Sequence, residues 1–587
     1  MATIEVAHLA KRYGSTVAVE DVTFSVTEGE IFGILGPNGA GKTTTVESIV
    51  GLRMPDSGTI RVLGLDPLVD GPALRNVVGV QLQESALPPK LRVEEAVRLY
   101  ASFYRRHADP EPLLETLGLS AKRHSYFKDL SGGQKQRLSI ALALIGVPTI
   151  AVLDELTTGL DPQARRATWG LVEAVRSRGV TIVLVTHDMD EAQHLCDRVA
   201  LVDSGRVVAI DSPAHLAEHA AGGKRVRFRP SAAFDDSLLT SLPEVHGLEH
   251  NGEWMVATGE GELVNSVILS LHEKGITARD VSTQAGALDD AFLALTGHGA
   301  HPPDDGSPEG RRPRGERAGS RGGWRAAVRR PAHRTGTRPP RAAFLRLVAT
   351  EWHLALRNPA GLIPGLGLPV VLLVVFGTLP TMNNPQAGLG GLSPLQVYMP
   401  ITIALSLSVF ALAWMPGTLA SYRELGVLRR MSTTPVSPTW LLGAQLALNL
   451  GLFACAVLIV VIGGALVFGA TVSFELPGFV VSLPLVIAAM FSMGLWVASI
   501  ARTQRVAGAV GALLFFPMLF FAGVWLPQQS MPPWLRTISR VAPVGAGVHA
   551  LDTSMLSGRF PPAQPLAVMV VWAAVFGWLS VRMFRWE

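Results

Sequence analysis

From Asn358 to Tyr422 the chain carries no Asp, Glu, Lys, Arg or His. A water-soluble helical segment of that length would have to place charge on an exposed face, so this part is built for lipid. The remainder of the C-terminal half follows the same rule: of 47 Asp and Glu residues, only Glu351, Glu424, Glu475, Asp552 and Glu587 lie beyond residue 342. A polar break at Asn383-Asn384-Pro385 divides the uncharged stretch into two spans. Further apolar runs at about 440–468, 477–500, 506–525 and 564–581 each approach the ~20 residues needed to cross a bilayer. Six crossings are expected.

The connections between them set the orientation. Those at 421–439 (Arg423, Arg429, Arg430) and 501–505 (Arg502, Arg505) are basic, whereas 380–395 and 469–476 hold no Lys or Arg. The positive-inside rule then places both termini in the cytoplasm of a multi-pass cell-membrane protein. The connection at 526–563 breaks the pattern with Arg536, Arg540 and Arg559, and its Met531-Pro532-Pro533-Trp534-Leu535 reads as interfacial or re-entrant. No span centre carries an acid or base, which argues against coupling to a proton or sodium gradient and for an apolar pathway.

At 587 residues the chain exceeds a single core. Residues 1–215 alternate short apolar runs such as Ile31–Leu35 and Thr181–Val185 with amphipathic segments, the pattern of buried parallel strands in an α/β domain. Residues 216–297 read as a small α+β accessory domain, with strand-like Val226–Arg229 and Trp254–Ala257 and a helical Leu263–Lys274. Residues 298–342 are rich in Arg, Pro and Gly and too poor in large apolar side chains for a core, so a disordered linker is expected before the membrane domain at 343–587. Eleven Arg between Arg311 and Arg341 account for much of the net charge of +4, so no nucleic-acid partner is inferred; contact with anionic lipid is the sharper alternative to a solvated tether. Cys196 and Cys455 imply no disulfide framework, and no secretory signal is evident at the N-terminus.

Chemistry concentrates in the first domain. After Ile31–Leu35 come Gly36-Pro37-Asn38-Gly39-Ala40-Gly41-Lys42-Thr43-Thr44, a phosphate loop whose backbone N–H groups face one concavity at a helix N-terminus. Lys42 supplies charge to the β and γ phosphates of ATP, and Thr43 a hydroxyl to Mg²⁺. A second apolar strand ends in Asp154-Glu155: Asp154 suits the Mg²⁺ shell, and Glu155 suits polarising a water for attack on the γ phosphate.

Leu130-Ser131-Gly132-Gly133-Gln134, about ninety residues after the loop, resembles the signature of ATP-binding-cassette (ABC) proteins. The resemblance implies further roles. Tyr13 would stack on adenine, and Gln83 would sense Mg²⁺ and water, with Gln81 as the nearby competitor. Ser131, Gly132, Gly133 and Gln134 would complete the ATP site of a second cassette, Asp161 would lie in the loop beside it, and His187 would contact the γ phosphate. One departure is that Leu156 stands where the family usually has Pro after the catalytic Glu, which loosens a φ restraint.

The membrane half resembles type-2 ABC exporters through Arg423-Glu424-Leu425-Gly426 with Thr433-Thr434-Pro435-Val436, and through Gly523-Val524-Trp525-Leu526-Pro527. Taken together, the chain is similar to daunorubicin-resistance-type exporters with ATPase and permease fused. The resemblance implies an α/β P-loop NTPase cassette with an α+β accessory domain, followed by an all-α six-helix transmembrane domain. It also implies a homodimer, joined through an ATP sandwich and the membrane domain, exporting a hydrophobic small molecule across the lipid bilayer. Export of a lipid or envelope glycan, or an ATP-driven envelope sensor without net transport, are the alternatives.

Overall fold

A computed structural model describes residues 2–583 apart from 83–85, 221–223, 260–261, 285–287, 289–291, 293–295, 297–340, 387–388, 390 and 471–472. Gln83 and nearly all of the expected linker therefore lie outside the described residues. The chain forms two compact units: Met1–Gln81 with Pro148–Arg338, and Leu82–Val147 with Pro339–Glu587.

In the first unit, nine strands form one sheet: β1 (Ala2–Tyr13), β2 (Thr16–Thr27), β3 (Ile31–Leu35), β4 (Ser57–Val62), β5 (Val78–Gln81), β6 (Ile150–Asp154), β7 (Thr181–Thr186), β8 (Arg198–Asp203) and β9 (Arg206–Asp211), in the order β4-β1-β2-β9-β8-β3-β7-β6-β5. The β8-β3-β7-β6-β5 segment is parallel. Every residue of β3, β6 and β7 is buried, as strands covered on both faces must be, which explains their unbroken apolar sequences. β1, β2 and β4 instead pair antiparallel and alternate buried with exposed positions.

A second sheet in the same unit runs β11-β12-β10-β13, from β10 (Lys224–Pro230), β11 (Val245–Asn251), β12 (Trp254–Gly259) and β13 (Ala278–Gln284). Its core is Val226, Phe228, Met255 and Ala257 packed on Leu263, Val267 and Leu271 of the Leu263–Glu273 helix, whose four-residue spacing puts those three on one face.

Among the described residues of the second unit, five helices are long and apolar enough to cross a membrane: Pro394–Glu424, Thr439–Val467, Leu476–Ile500, Gln504–Ala522 and Ala563–Met583. The first of the six expected spans is a shorter apolar helix, Ile363–Thr378. At 1.5 Å per residue it covers about 24 Å, and Leu379 turns extended before Pro380. The 526–563 connection folds into Pro533–Val541 and the largely buried Pro543–Met555 helix, held by Gln528, whose Nε2 donates to Ser539 Oγ and the Gly545 carbonyl, each at 2.9 Å.

Among the described acids beyond residue 342, Glu351 is deeply buried. Glu351 Oε2 accepts from Tyr422 Oη at 2.8 Å and Gln445 Nε2 at 2.5 Å, tying the Arg341–Leu356 helix to two membrane helices.

Without water to drive association, helix packing in lipid depends on close approach. Gly511 provides it: a Cβ there would lie 2.3 Å from the Leu412 carbonyl oxygen, whereas a Cβ at Gly508 would meet nothing within 4 Å. Gly511→Ala should therefore lower the yield of monodisperse protein and its melting temperature, while Gly508→Ala, which removes only a helix-weakening glycine, should match or exceed wild type. Equal behaviour of the two variants in detergent melting would refute this packing account.

Candidate nucleotide site

The sheet order makes β3, β7 and β6 neighbours, so the segments leaving their carboxyl ends meet at one edge. The phosphate loop comes after β3, His187 after β7, and Asp154-Glu155 ends β6. Ligand crevices in parallel sheets form at these carboxyl ends.

Lys42 opens the Lys42–Ile49 helix, is 5 % exposed, and donates from Nζ to the carbonyls of Gly36 at 2.7 Å and Pro37 at 2.9 Å. Burial lowers its pKa, and Glu155 and Asp154 oppose that shift. Gly41 precedes the helix at φ +96, where a Cβ would lie 2.3 Å from the Ala18 carbonyl oxygen; only glycine fits. Asn38 and Gly39 form the exposed rim of the loop and Ala40 is buried beneath it, while Thr43 and Thr44 are on the first helical turn.

Asp154 is 1 % exposed. Burial pushes its carboxyl up to about 7, helped by the neighbouring charge of Glu155 and opposed by Lys42. Its backbone N–H donates to Gln81 Oε1 at 2.9 Å, so Gln81 is a buried brace for this strand end. Asp154 Oδ1 is buried without a hydrogen-bond partner among the described residues. An orphaned carboxylate oxygen electrostatically coupled to a buried lysine fits Mg²⁺ bound together with phosphate, because that ion takes few protein ligands and hard oxygen donors.

Glu155 departs from the strand at φ 48, a left-handed conformation that a non-glycine residue adopts only when its surroundings hold it there. Three contacts do so. Its N–H donates to the Val185 carbonyl at 2.8 Å, its Oε1 lies 3.2 Å from His187 Nδ1, and Thr158 Oγ1 lies 3.5 Å from Oε2. Leu156, the departure from the family pattern, is 1 % exposed and anchors the turn by burial. Glu191, fully buried behind this turn, was not apparent in the sequence; burial raises its carboxyl pKa against the opposing effect of Thr186 and Thr157.

Tyr13 ends β1 at 40 % exposure, with Lys11 Nζ 5.7 Å and the guanidinium of Arg53 5.3 Å from its ring centroid. Asp161 caps the Pro162–Arg176 helix, its Oδ1 accepting from Ala164 N at 2.8 Å.

In the second unit, Ser131 and Gln134 cap the Gly132–Leu144 helix reciprocally. Ser131 N donates to Gln134 Oε1 at 3.0 Å and Gln134 N to Ser131 Oγ at 3.4 Å. Ser131 and Gly132 are exposed and Gly133 is half-buried, leaving a helix N-terminus with its partial positive charge accessible.

Residues 19–158 match the family described as ABC transporter, and residues 342–556 match that described as ABC-2 type transporter. The Nod factor export ATP-binding protein I of Burkholderia orbicola is 36% identical over 304 residues, covering 51% of this chain and 98% of that protein. The protein of the same name from Rhizobium johnstonii is 36% identical over 300 residues, covering 50% and 94%. Among solved structures, an ATP-binding subunit of an ABC transporter aligns with 37% of this chain and 92% of its own at 31% identity and a TM-score of 0.34. A sheet that gathers a phosphate loop and an Asp-Glu strand end, in a chain that continues as long apolar helices and matches both families, belongs to an ABC transporter that fuses its cassette to an ABC-2 type membrane domain.

Proposed function

We propose that this ABC exporter hydrolyses ATP with Glu155 as general base, and that it moves a hydrophobic small molecule across the cell membrane as a homodimer with its cassettes in the cytoplasm. The observation that carries the catalytic assignment is the Glu155–His187 contact, 3.2 Å long, beside the orphaned oxygen of Asp154. Lys42, with the backbone N–H groups of the loop, binds the β and γ phosphates, and Tyr13 stacks on the base. Thr43 and Asp154 would hold Mg²⁺, which would spread the phosphate charge when bound; Gln83 belongs to the same set by its resemblance. Glu155 orients and deprotonates the attacking water, and His187 fixes the carboxylate and faces the γ phosphate.

The exposed N-terminus at Ser131–Gly133 suits the ATP of a second copy, which gives the homodimer its reason: each site then needs the signature of the other chain. Asp161 lies in the loop that would face the same junction. The proposed domains are 1–215, 216–297, 298–342 and 343–587. The relatives are named for export of Nod factor, which supports export. The choice of an apolar cargo rests on the Pro394–Glu424 helix, which is uncharged from Pro394 to Tyr422 and largely buried within the protein.

Glu155→Gln should keep ATP affinity within about threefold while cutting turnover by roughly 100-fold or more, since the ligands of phosphate and metal remain and only the base is lost. In inverted vesicles the same change should abolish ATP-dependent uptake of lipophilic fluorescent dyes. Wild-type turnover in the variant would remove Glu155 from its role, and normal hydrolysis by wild type without uptake of any dye would favour a sensor.

The buried Asp154 makes nucleotide-free stability depend on pH. Its folded pKa of about 7 exceeds the ordinary 3.8, so its contribution is fully present below the lower value and is lost as pH rises through the upper one. The stability of Asp154→Asn relative to wild type should therefore rise between pH 5 and pH 8 by about 1 kcal/mol or more. Urea denaturation of the full chain without nucleotide at both pH values measures it; an equal difference at both would contradict the assignment.

The homodimer is tested by cysteines introduced at Gly39 and Ser131. On ATP binding they should cross-link different chains, giving a doubled mass on a non-reducing gel. Cross-links confined to single chains would overturn the shared site.

A further inference from the structure

Where the Met415–Glu424, Leu476–Ile500 and Ala563–Met583 helices end together, they and the turn after Ile500 surround an open cavity of about 960 Å³. Arg423, Arg502 and Arg582 line it, with Ser499 and Trp578, and among the described residues no acid does. The nearest acid along the chain, Glu424, directs Oε2 to the backbone N–H of Gln504 at 3.1 Å.

The three arginines are not equivalent. Arg423 Nη1 donates to the carbonyls of Ala498 at 2.9 Å and Ala501 at 2.7 Å, the C-terminal end of a helix, whose partial negative charge one guanidinium offsets. Arg502 and Arg582 are surplus: both are exposed, and among the described residues neither has a salt bridge. Arg582 lies over the Trp578 ring, 5.2 Å from its centroid. Trp578 is 58 % and Val581 85 % exposed, so an apolar helix face leads into the basic cavity. An indole beside arginines at the end of a membrane helix is the composition of the headgroup level.

The cavity lies at a defined end of the helices. The Leu425 carbonyl, two residues past Arg423, accepts from Ala86 N at 3.1 Å, and Arg430 Nη2 donates to the Ser139 carbonyl at 3.1 Å. This is the end that meets the cassette segment within the same unit.

We propose that this cavity binds the headgroup of an anionic phospholipid from the cassette-side leaflet, its phosphodiester between Arg502 and Arg582 and its acyl chains along the Trp578–Val581 face. Free phosphate would use the guanidiniums alone and leave that apolar face uncovered, so the combination selects a lipid. Basic pockets between membrane helices recognise such headgroups through charge that is concentrated where water is scarce. The site does not depend on which molecule is exported.

The test uses the purified full chain in neutral detergent, titrated with dioctanoyl-phosphatidylglycerol and read by native mass spectrometry. Wild type should bind it at least tenfold more tightly than dioctanoyl-phosphatidylcholine. The Arg502→Gln/Arg582→Gln pair should weaken phosphatidylglycerol binding roughly tenfold or more, as expected for losing two interfacial charges. Both side chains are exposed, so elution volume and basal ATPase in phosphatidylcholine nanodiscs should stay at wild-type values. A wild-type measurement that needs no variant is salt: raising NaCl from about 50 to 500 mM should weaken binding severalfold by screening. Unchanged affinity in the double variant, equal binding of phosphatidylcholine, or salt-insensitive binding would overturn the site. Displacement by an equal concentration of inorganic phosphate would overturn the lipid assignment in favour of a phosphate site.

Discussion

The parallel pairing of β6 with β7 is the constraint on which the candidate site depends. Register places Asp154 opposite Val185, and the next hydrogen bond, from Glu155 N to the Val185 carbonyl, is made as the chain leaves the sheet. A one-residue slip would turn Asp154 to the other face and break that bond. The left-handed turn at Glu155 is tolerated because the ladder holds one side of it and buried Leu156 the other.

The site joins groups with opposing requirements. Lys42 and Asp154 are both buried, and each reduces the cost of the other's charge without cancelling it: burial wins at both, lowering the lysine and raising the acid. Such a pair is poised for a ligand that carries negative charge to the lysine and positive charge to the carboxylate. A phosphate with a divalent cation supplies both. The backbone carbonyls of Gly36 and Pro37 hold the ammonium group in the meantime.

What could be read from sequence was whatever is local. The phosphate loop, the Asp154-Glu155 strand end and the Ser131 cap are contiguous, and each is specified within a few residues by backbone conformation and hydrogen bonding. The uncharged stretch likewise announced a lipid solvent, although Leu379 and Pro380 stop the first apolar helix short of a full span. Contacts between distant segments were not legible. Gln81 and Gln83 are two residues apart in the sequence, and only the fold shows Gln81 turned inward to Asp154. Glu351 lies outside every expected span, so nothing in its neighbourhood indicated a carboxylate buried against Tyr422 and Gln445. Glu191 was hidden in the same way, since its burial comes from β7 and the turn after Glu155 rather than from its own helix.

The partition into units also has a physical basis in buried charge. Arg357 donates to both carboxylate oxygens of Glu95, at 2.7 and 2.5 Å, and Lys90 Nζ donates to the Arg357 carbonyl. Arg430 is 4 % exposed, with its guanidinium 5.6 Å from the Tyr100 ring centroid and bonded to the Ser139 carbonyl. Arg430 is buried, so removing the groups that receive its charge would be costly, whereas the Arg357–Glu95 pair is only partly buried. Ser139 and Ser131 belong to the same helical element, cap and body, about 12 Å apart along its axis. The exposed signature cap and the carbonyl that accepts from Arg430 therefore belong to one continuous helical element.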